Sequence, residues 1–168
     1  MSIGFIGCGN MATAIIKGII KSKTVEENEI NVFDVYAPAV EKLTAEYKIN
    51  KCESECDVVS SSDTVILAVK PNVLPQVLNK INTTLEESDT LLISIAAGKS
   101  TEFIRGALSH NNRIIRVMPN INATVSEAMC AYTANADATE ADKQTAEAIF
   151  SGVGKVMYLD ENYFPLFG

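Results

Sequence analysis

The chain has 168 residues, 47% of them hydrophobic, and a formal net charge of −7. That length suits one folding unit with a sizeable core. The acidic balance and the lack of a basic run exclude nucleic acid as an expected partner, and no stretch is long and uncharged enough to cross a bilayer.

The apolar run Ile3-Gly4-Phe5-Ile6 predicts a first strand over 2–7. No basic leader precedes it, so a secretory signal is not expected. Directly behind it stands Gly7-Cys8-Gly9-Asn10-Met11-Ala12, a G-x-G-x-x-A turn between strand and helix. Such a turn is built to hold a pyrophosphate. The first glycine permits the bend, the second lets backbone approach the phosphates, and the small third residue lets helix and strand pack closely. The helix over 10–22 then aims its N-terminal N–H groups and positive dipole end at the anion. A second strand over 30–34 ends in Asp34, roughly 20 residues after the turn, where an acid accepts hydrogen bonds from the adenosine ribose hydroxyls.

Strand and helix go on alternating. Further strands are predicted over 49–52, 63–69, 90–95 and 113–118, with helices over 38–47, 53–60, 72–84 and 100–109. Thr64-Val-Ile-Leu-Ala-Val69 and Thr90-Leu-Leu-Ile-Ser-Ile95 are nearly all apolar, as strands buried on both faces should be. Pro71 ends the fourth strand and suits the first turn of the helix behind it. Ala128–Thr133 reads as another strand, Thr139 caps a helix through about 151, and Gly154–Leu159 reads as the last strand. The fold class is α/β: a Rossmann-type, doubly wound, mostly parallel sheet with helices on both faces. Residues 1–160 are expected to form one NAD(P)-binding unit.

Cysteines stand at 8, 52, 56 and 130, with no C-x-x-C pair and one histidine, His110, in the polar stretch Ser109–Asn112. No metal site is expected. Reduced thiols in the cytoplasm, and a solvated His110, are the expectation. No Ser-His-Asp or Cys-His set can be assembled from a single loop histidine. Hydride transfer needs none, because the cofactor carries the chemistry.

Ligands of open parallel sheets bind beyond the carboxyl ends of the strands, where strand order reverses. The candidate cofactor-binding residues at those ends are Ile6, Gly7, Cys8, Gly9, Asn10 and Met11, then Asp34, then Ala68, Val69, Lys70 and Pro71, then Ala96, Ala97 and Gly98, and finally Asn120. Ala96 to Gly98 permit the close backbone approach that a flat nicotinamide needs. Asn120 either orients a carboxamide or polar substrate, or closes an Asx-turn after Pro119. Lys70 is either a site residue or a solvated lysine. No residue stands out as a proton donor.

The ordered segments Gly4–Ala12, Leu67-Ala-Val-Lys-Pro71, Ser94-Ile-Ala-Ala-Gly98 and Arg116-Val-Met-Pro-Asn120 resemble pyrroline-5-carboxylate reductase, from Met1 to about Asn162. The resemblance implies reduction of the cyclic imine 1-pyrroline-5-carboxylate to L-proline with NADPH or NADH, the last step of proline biosynthesis. It implies that Ile6 to Met11 wrap the pyrophosphate, Asp34 lies beside the ribose, Ala68 to Pro71 line the nicotinamide side, and Ala96 to Gly98 form the next wall. It also implies a small imine as substrate, and homodimers or higher oligomers made through a C-terminal helical domain of which residues 161–168 are the truncated start. Three departures bear on the cofactor. Asp34 repels a ribose 2′-phosphate and leans towards NADH. Glu53-Ser-Glu55 stands where members often carry a cofactor-contacting Asn. Pro119-Asn-Ile-Asn122 replaces the usual Pro-Asn-Thr-Pro. Fold-level similarity leaves open a deazaflavin-dependent NADP reductase, a hydroxyacid dehydrogenase type, or a non-catalytic nucleotide sensor whose aromatic tail (Tyr163, Phe164, Phe167) captures a partner.

Overall fold

Ile3, Phe5, Ile66 and Leu92 have no exposed surface, and strands apolar on both faces must be covered twice. The computed structural model, which describes residues 1–120 and 128–167, meets that demand with one eight-stranded sheet. The strands are β1 (Ile3–Ile6), β2 (Ile30–Phe33), β3 (Asn50–Lys51), β4 (Thr64–Leu67), β5 (Leu91–Ser94), β6 (Ile114–Asn120), β7 (Ala128–Ala134) and β8 (Gly154–Tyr158). Their spatial order is β3-β2-β1-β4-β5-β6-β7-β8. On one face lie α1 (Asn10–Ser22), α2 (Ala37–Glu46) and α6 (Glu140–Phe150), which pack Ile15, Ile19, Leu43 and Phe150 onto the strands. On the other lie α3 (Glu55–Ser60), α4 (Leu74–Glu86) and α5 (Thr101–Gly106), through Val58, Leu78, Ile81 and Ile104. No described helix is long and apolar enough to cross a membrane.

The first six strands are parallel, and β1 sits between β2 and β4. The chain winds outward from β1 through β2 to β3, then returns to the other side of β1 and continues from β4. Strand order therefore reverses between β1 and β4. β7 runs antiparallel to β6, and β8 is parallel to β7. The link from β6 to β7 is too short for a parallel crossover, which takes about a dozen residues or more.

Several expectations need correction. Pro71 is not in a first helical turn: it lies in a turn in which the Val73 and Leu74 N–H groups donate to the Lys70 carbonyl, and the first turn of α4 takes Pro75 instead. β4 ends at Leu67, before Val69. The predicted 100–109 helix stops at Gly106. β6 runs on to Asn120 because β7 gives it a ladder to pair with, so Asn120 lies in a strand opposite Met129 and not in an Asx-turn. The expectation on Asn122 falls outside the described residues. His110 is solvated as expected, with Nδ1 3.4 Å from Glu86.

The last described segment folds back onto the sheet. After a 3-10 turn at Glu161–Tyr163, the short α7 (Phe164–Phe167) buries Phe164 completely, with the Arg116 guanidinium 4.6 Å from its ring centre. The aromatic tail is thus not a free patch as a whole; Tyr163 is exposed and Phe164 is not. Glu161 holds the arrangement. It accepts from Arg116 Nη1 at 3.1 Å, and from the Thr101 N–H and hydroxyl at 2.8 Å each. At the far end of α1, the backbone of Gly18 meets that of Gly152: a Cβ on Gly18 would fall 2.8 Å from the Gly152 carbonyl oxygen.

Candidate functional site

The turn after β1 is shaped by what it touches. Gly7 has φ +102°, and a Cβ there would lie 2.5 Å from the Ala68 carbonyl oxygen. Only glycine takes that conformation and that approach together. The Ala68 N–H donates to the Ile6 carbonyl at 2.8 Å and the Gly7 N–H to the Phe33 carbonyl at 2.9 Å, so the ends of β1, β2 and β4 are tied at one point. That point is the strand-order reversal. Gly9 differs: a Cβ on it would meet nothing within 4 Å. The space above it is open.

The helices also differ at their starts. Ser54, Ser100 and Thr139 accept N–H groups at the starts of α3, α5 and α6. The starts of α1, α2 and α4 have no side-chain cap, and of these only the 13-residue α1 begins behind a glycine, Gly9. Its first-turn N–H groups and dipole therefore face the open space above Gly9, a setting suited to an anion. Ala12, the small third residue of the turn, is buried against the sheet.

Among the described residues, two cavities flank the turn. One, of about 470 Å³, is lined by Cys8, Gly9, Asn10, Thr13 and Lys17 on one side and by Tyr36, Pro38 and Lys42 on the other. The second, of about 140 Å³, lies at the ends of β1 and β2, walled by Ile6, Phe33, Val69, Val73 and Val77, with Asp34, Glu55 and Lys80 at its polar margins. The structure thus gathers Ile6, Gly7, Cys8, Gly9, Asn10, Asp34 and Val69 around the turn. Ala68 supports it from below, and Met11 packs partly into the core. Lys70, Pro71, Ala96, Ala97, Gly98 and Asn120 line neither cavity. Ala96 to Gly98 follow β5 directly, with the Ala96 N–H donating to Ser94 Oγ and Gly98 at φ +72°.

Asp34 has a second role that spacing did not reveal. Its Oδ2 accepts from the Cys8 main-chain N–H at 2.8 Å and its Oδ1 from the Tyr36 N–H at 2.9 Å. A carboxylate offers about four lone-pair sites, so acceptor capacity is left for a ligand. Burial, with the Asp34 charge adding to it, pushes the Cys8 thiol up to about 12. The turn therefore carries a neutral thiol and adds no negative charge of its own.

Glu55, Val73, Val77 and Lys80 were not singled out as site residues. Glu55 lies in the Glu53-Ser-Glu55 stretch, a departure bearing on the cofactor, and for the other three the signal is the 4- and 3-residue spacing that aligns Val73, the N-cap of α4, with Val77 and Lys80 on one face. Lys17, Tyr36 and Lys42 had none beyond lying near the turn or on α2.

Residues 2–98 match the profile of the family described as NADP oxidoreductase coenzyme F420-dependent. The chain belongs to that family. It is 41% identical, over 95% of its length, to a pyrroline-5-carboxylate reductase of Methanosarcina acetivorans, of which it covers 59%. Among solved structures it superposes with a TM-score of 0.92 on a pyrroline-5-carboxylate reductase of Coxiella burnetii at 30% identity, covering 96% of this chain and 60% of that one. It superposes with a TM-score of 0.85 on the Plasmodium falciparum pyrroline carboxylate reductase with NADP bound, at 26% identity, covering 97% of this chain and 59% of that one. The chain thus spans about three fifths of the length of the relatives it matches.

Proposed function

We propose that this chain is the dinucleotide-binding part of a pyrroline-5-carboxylate reductase, with residues 1–160 as that part and 161–168 opening the next unit. The observation that carries the reading is the uncapped start of α1 above the open face of Gly9, at the reversal of strand order. The relatives of that name, which match 95% of the chain, support the same reading.

The bound NADPH or NADH would supply hydride from nicotinamide C4 to the imine carbon of 1-pyrroline-5-carboxylate, whose nitrogen takes up a proton before or during transfer, giving L-proline. This chain's own residues hold and orient. The N–H groups opening α1, with Cys8 to Met11, take the pyrophosphate. Asp34 takes the adenosine ribose and, by its charge, favours NADH over NADPH. Ala68 to Pro71, Ala96 to Gly98 and Asn120 form the nicotinamide side. The substrate is a small imine, the assembly a homodimer or larger oligomer, and the compartment the cytoplasm.

A fluorescence titration of the chain with NADH and NADPH tests the reading. Saturable binding of at least one is expected; binding of neither overturns it. The family description favours a second reading, hydride exchange between NADP and a deazaflavin. Oxidation of NADH or NADPH by the oxidised deazaflavin, which takes up the hydride, with none by 1-pyrroline-5-carboxylate, would select that one. Slow turnover of the imine is expected, because substrate-positioning groups raise rates only when all are in place.

A further inference from the structure

Glu55 is an unusual residue for its place. It is 8% exposed, and its neighbours in the smaller cavity are Val69, Val73 and Val77. A buried carboxylate is costly unless paired and hydrogen-bonded. Among the described residues its one side-chain partner is Lys80, whose Nζ lies 3.3 Å from Oε1. Oε2 has no hydrogen-bond partner among them and is not sealed from the open space of the cavity. The capping of α3 does not require Glu55 either, since Ser54 Oγ accepts the Asp57 N–H and Asp57 in turn accepts the Glu53 N–H.

We infer that Glu55 and Lys80 read the adenine base of the dinucleotide: the Glu55 carboxylate accepts from the 6-amino group and the Lys80 ammonium donates to the adjoining ring nitrogen. The inference rests on the dinucleotide reading above. Its geometry is that of the cavity. Asp34, the ribose acid of that reading, lines the same cavity as Glu55 and Lys80, and its apolar lining of Ile6, Phe33, Val69, Val73 and Val77 suits a flat ring. An acceptor fixed beside a donor complements adenine, which presents a donor at position 6 next to an acceptor at ring nitrogen 1. Hypoxanthine reverses both, with a carbonyl at 6 and an N–H at 1. A buried site built to pair with one pattern rejects the other because its own polar groups are left unpaired.

The test is fluorescence titration of the chain with NADH and with reduced nicotinamide hypoxanthine dinucleotide. The wild type is expected to bind the adenine form about tenfold tighter or more. Glu55→Gln, whose amide both donates and accepts, is expected to bring the ratio to within about threefold. Lys80→Met, half-exposed and free of any packing role in the core, is expected to narrow it as well, and decides the matter should Glu55→Gln fail to fold. Equal affinity of the wild type for the two dinucleotides overturns the role of Glu55 and Lys80 while leaving dinucleotide binding intact. So does an unchanged ratio in the variants. Binding of neither form overturns the reading beneath it and this inference together.

Discussion

The main-chain N–H of Cys8 donates to Asp34 Oδ2 at 2.8 Å, so the acid behind β2 braces the glycine turn as well as lining its cavity. Replacing it has two separable effects. Asp34→Ser removes the brace and costs about 1–3 kcal/mol of stability, read from urea unfolding. It also removes a negative charge beside the ribose, and raises affinity for NADPH relative to NADH by roughly tenfold or more. An unchanged ratio in parallel titrations would refute the assignment of the ribose to Asp34.

The two glycines of the turn should respond differently to the same methyl group. Gly7→Ala sets a Cβ against the Ala68 carbonyl at a positive φ and destabilises the fold by about 3 kcal/mol or more. Gly9→Ala meets no protein atom and is expected to unfold like the wild type, while binding dinucleotide at least tenfold more weakly. Thermal melts and NADH titrations of both variants check the contrast. Full dinucleotide affinity in Gly9→Ala would contradict the use of the open space above it.

Among the described residues, Glu161 is the one side-chain acceptor for Thr101 and Arg116 at the seam between the tail and the sheet. Glu161→Ala leaves the buried Arg116 guanidinium without its carboxylate and is expected to cost about 2–3 kcal/mol. Release of the 161–167 segment should follow, seen as faster amide hydrogen exchange at Phe164 with slow exchange kept in β1 and β4.

The buried thiols make stability fall in alkali. Cys8 titrates at about 12 when folded and at an ordinary 9.0 when not, and Cys130 at about 11 when folded. Between these values the unfolded chain has lost protons that the native one keeps. Stability from this source is therefore full below about pH 9 and declines as pH rises through the folded values. Urea midpoints compared at about pH 8 and about pH 10 should drop less for Cys8→Ala than for the wild type.

What the chain made legible was local. The turn announced itself because its glycines, its small third residue and its flanking apolar runs are contiguous. The alternation of elements was legible from hydrophobic period. Which of two nearby prolines opens α4 was not, since Pro71 and Pro75 both precede an apolar run and only packing decides. Tertiary pairings were hidden as well. Lys80 comes to Glu55 because α3 packs on α4, and Glu161 comes to Arg116 and Thr101 because the tail doubles back. The brace from Asp34 to Cys8 lay within the expected site but carried a job that spacing does not encode.

The meeting of Gly18 and Gly152 has a mechanical meaning. α1 is a rod of about 20 Å, clamped against the end of α6 at one extremity and presenting the glycine turn at the other. Backbone meets backbone in the clamp, with the Val153 side chain and the Ser22 hydroxyl closing around it, so the pivot has no slack to absorb an added atom. A methyl group at Gly152 is expected to tilt the rod and displace the turn at its opposite end, weakening NADH binding in a titration although no bound nucleotide would touch that residue.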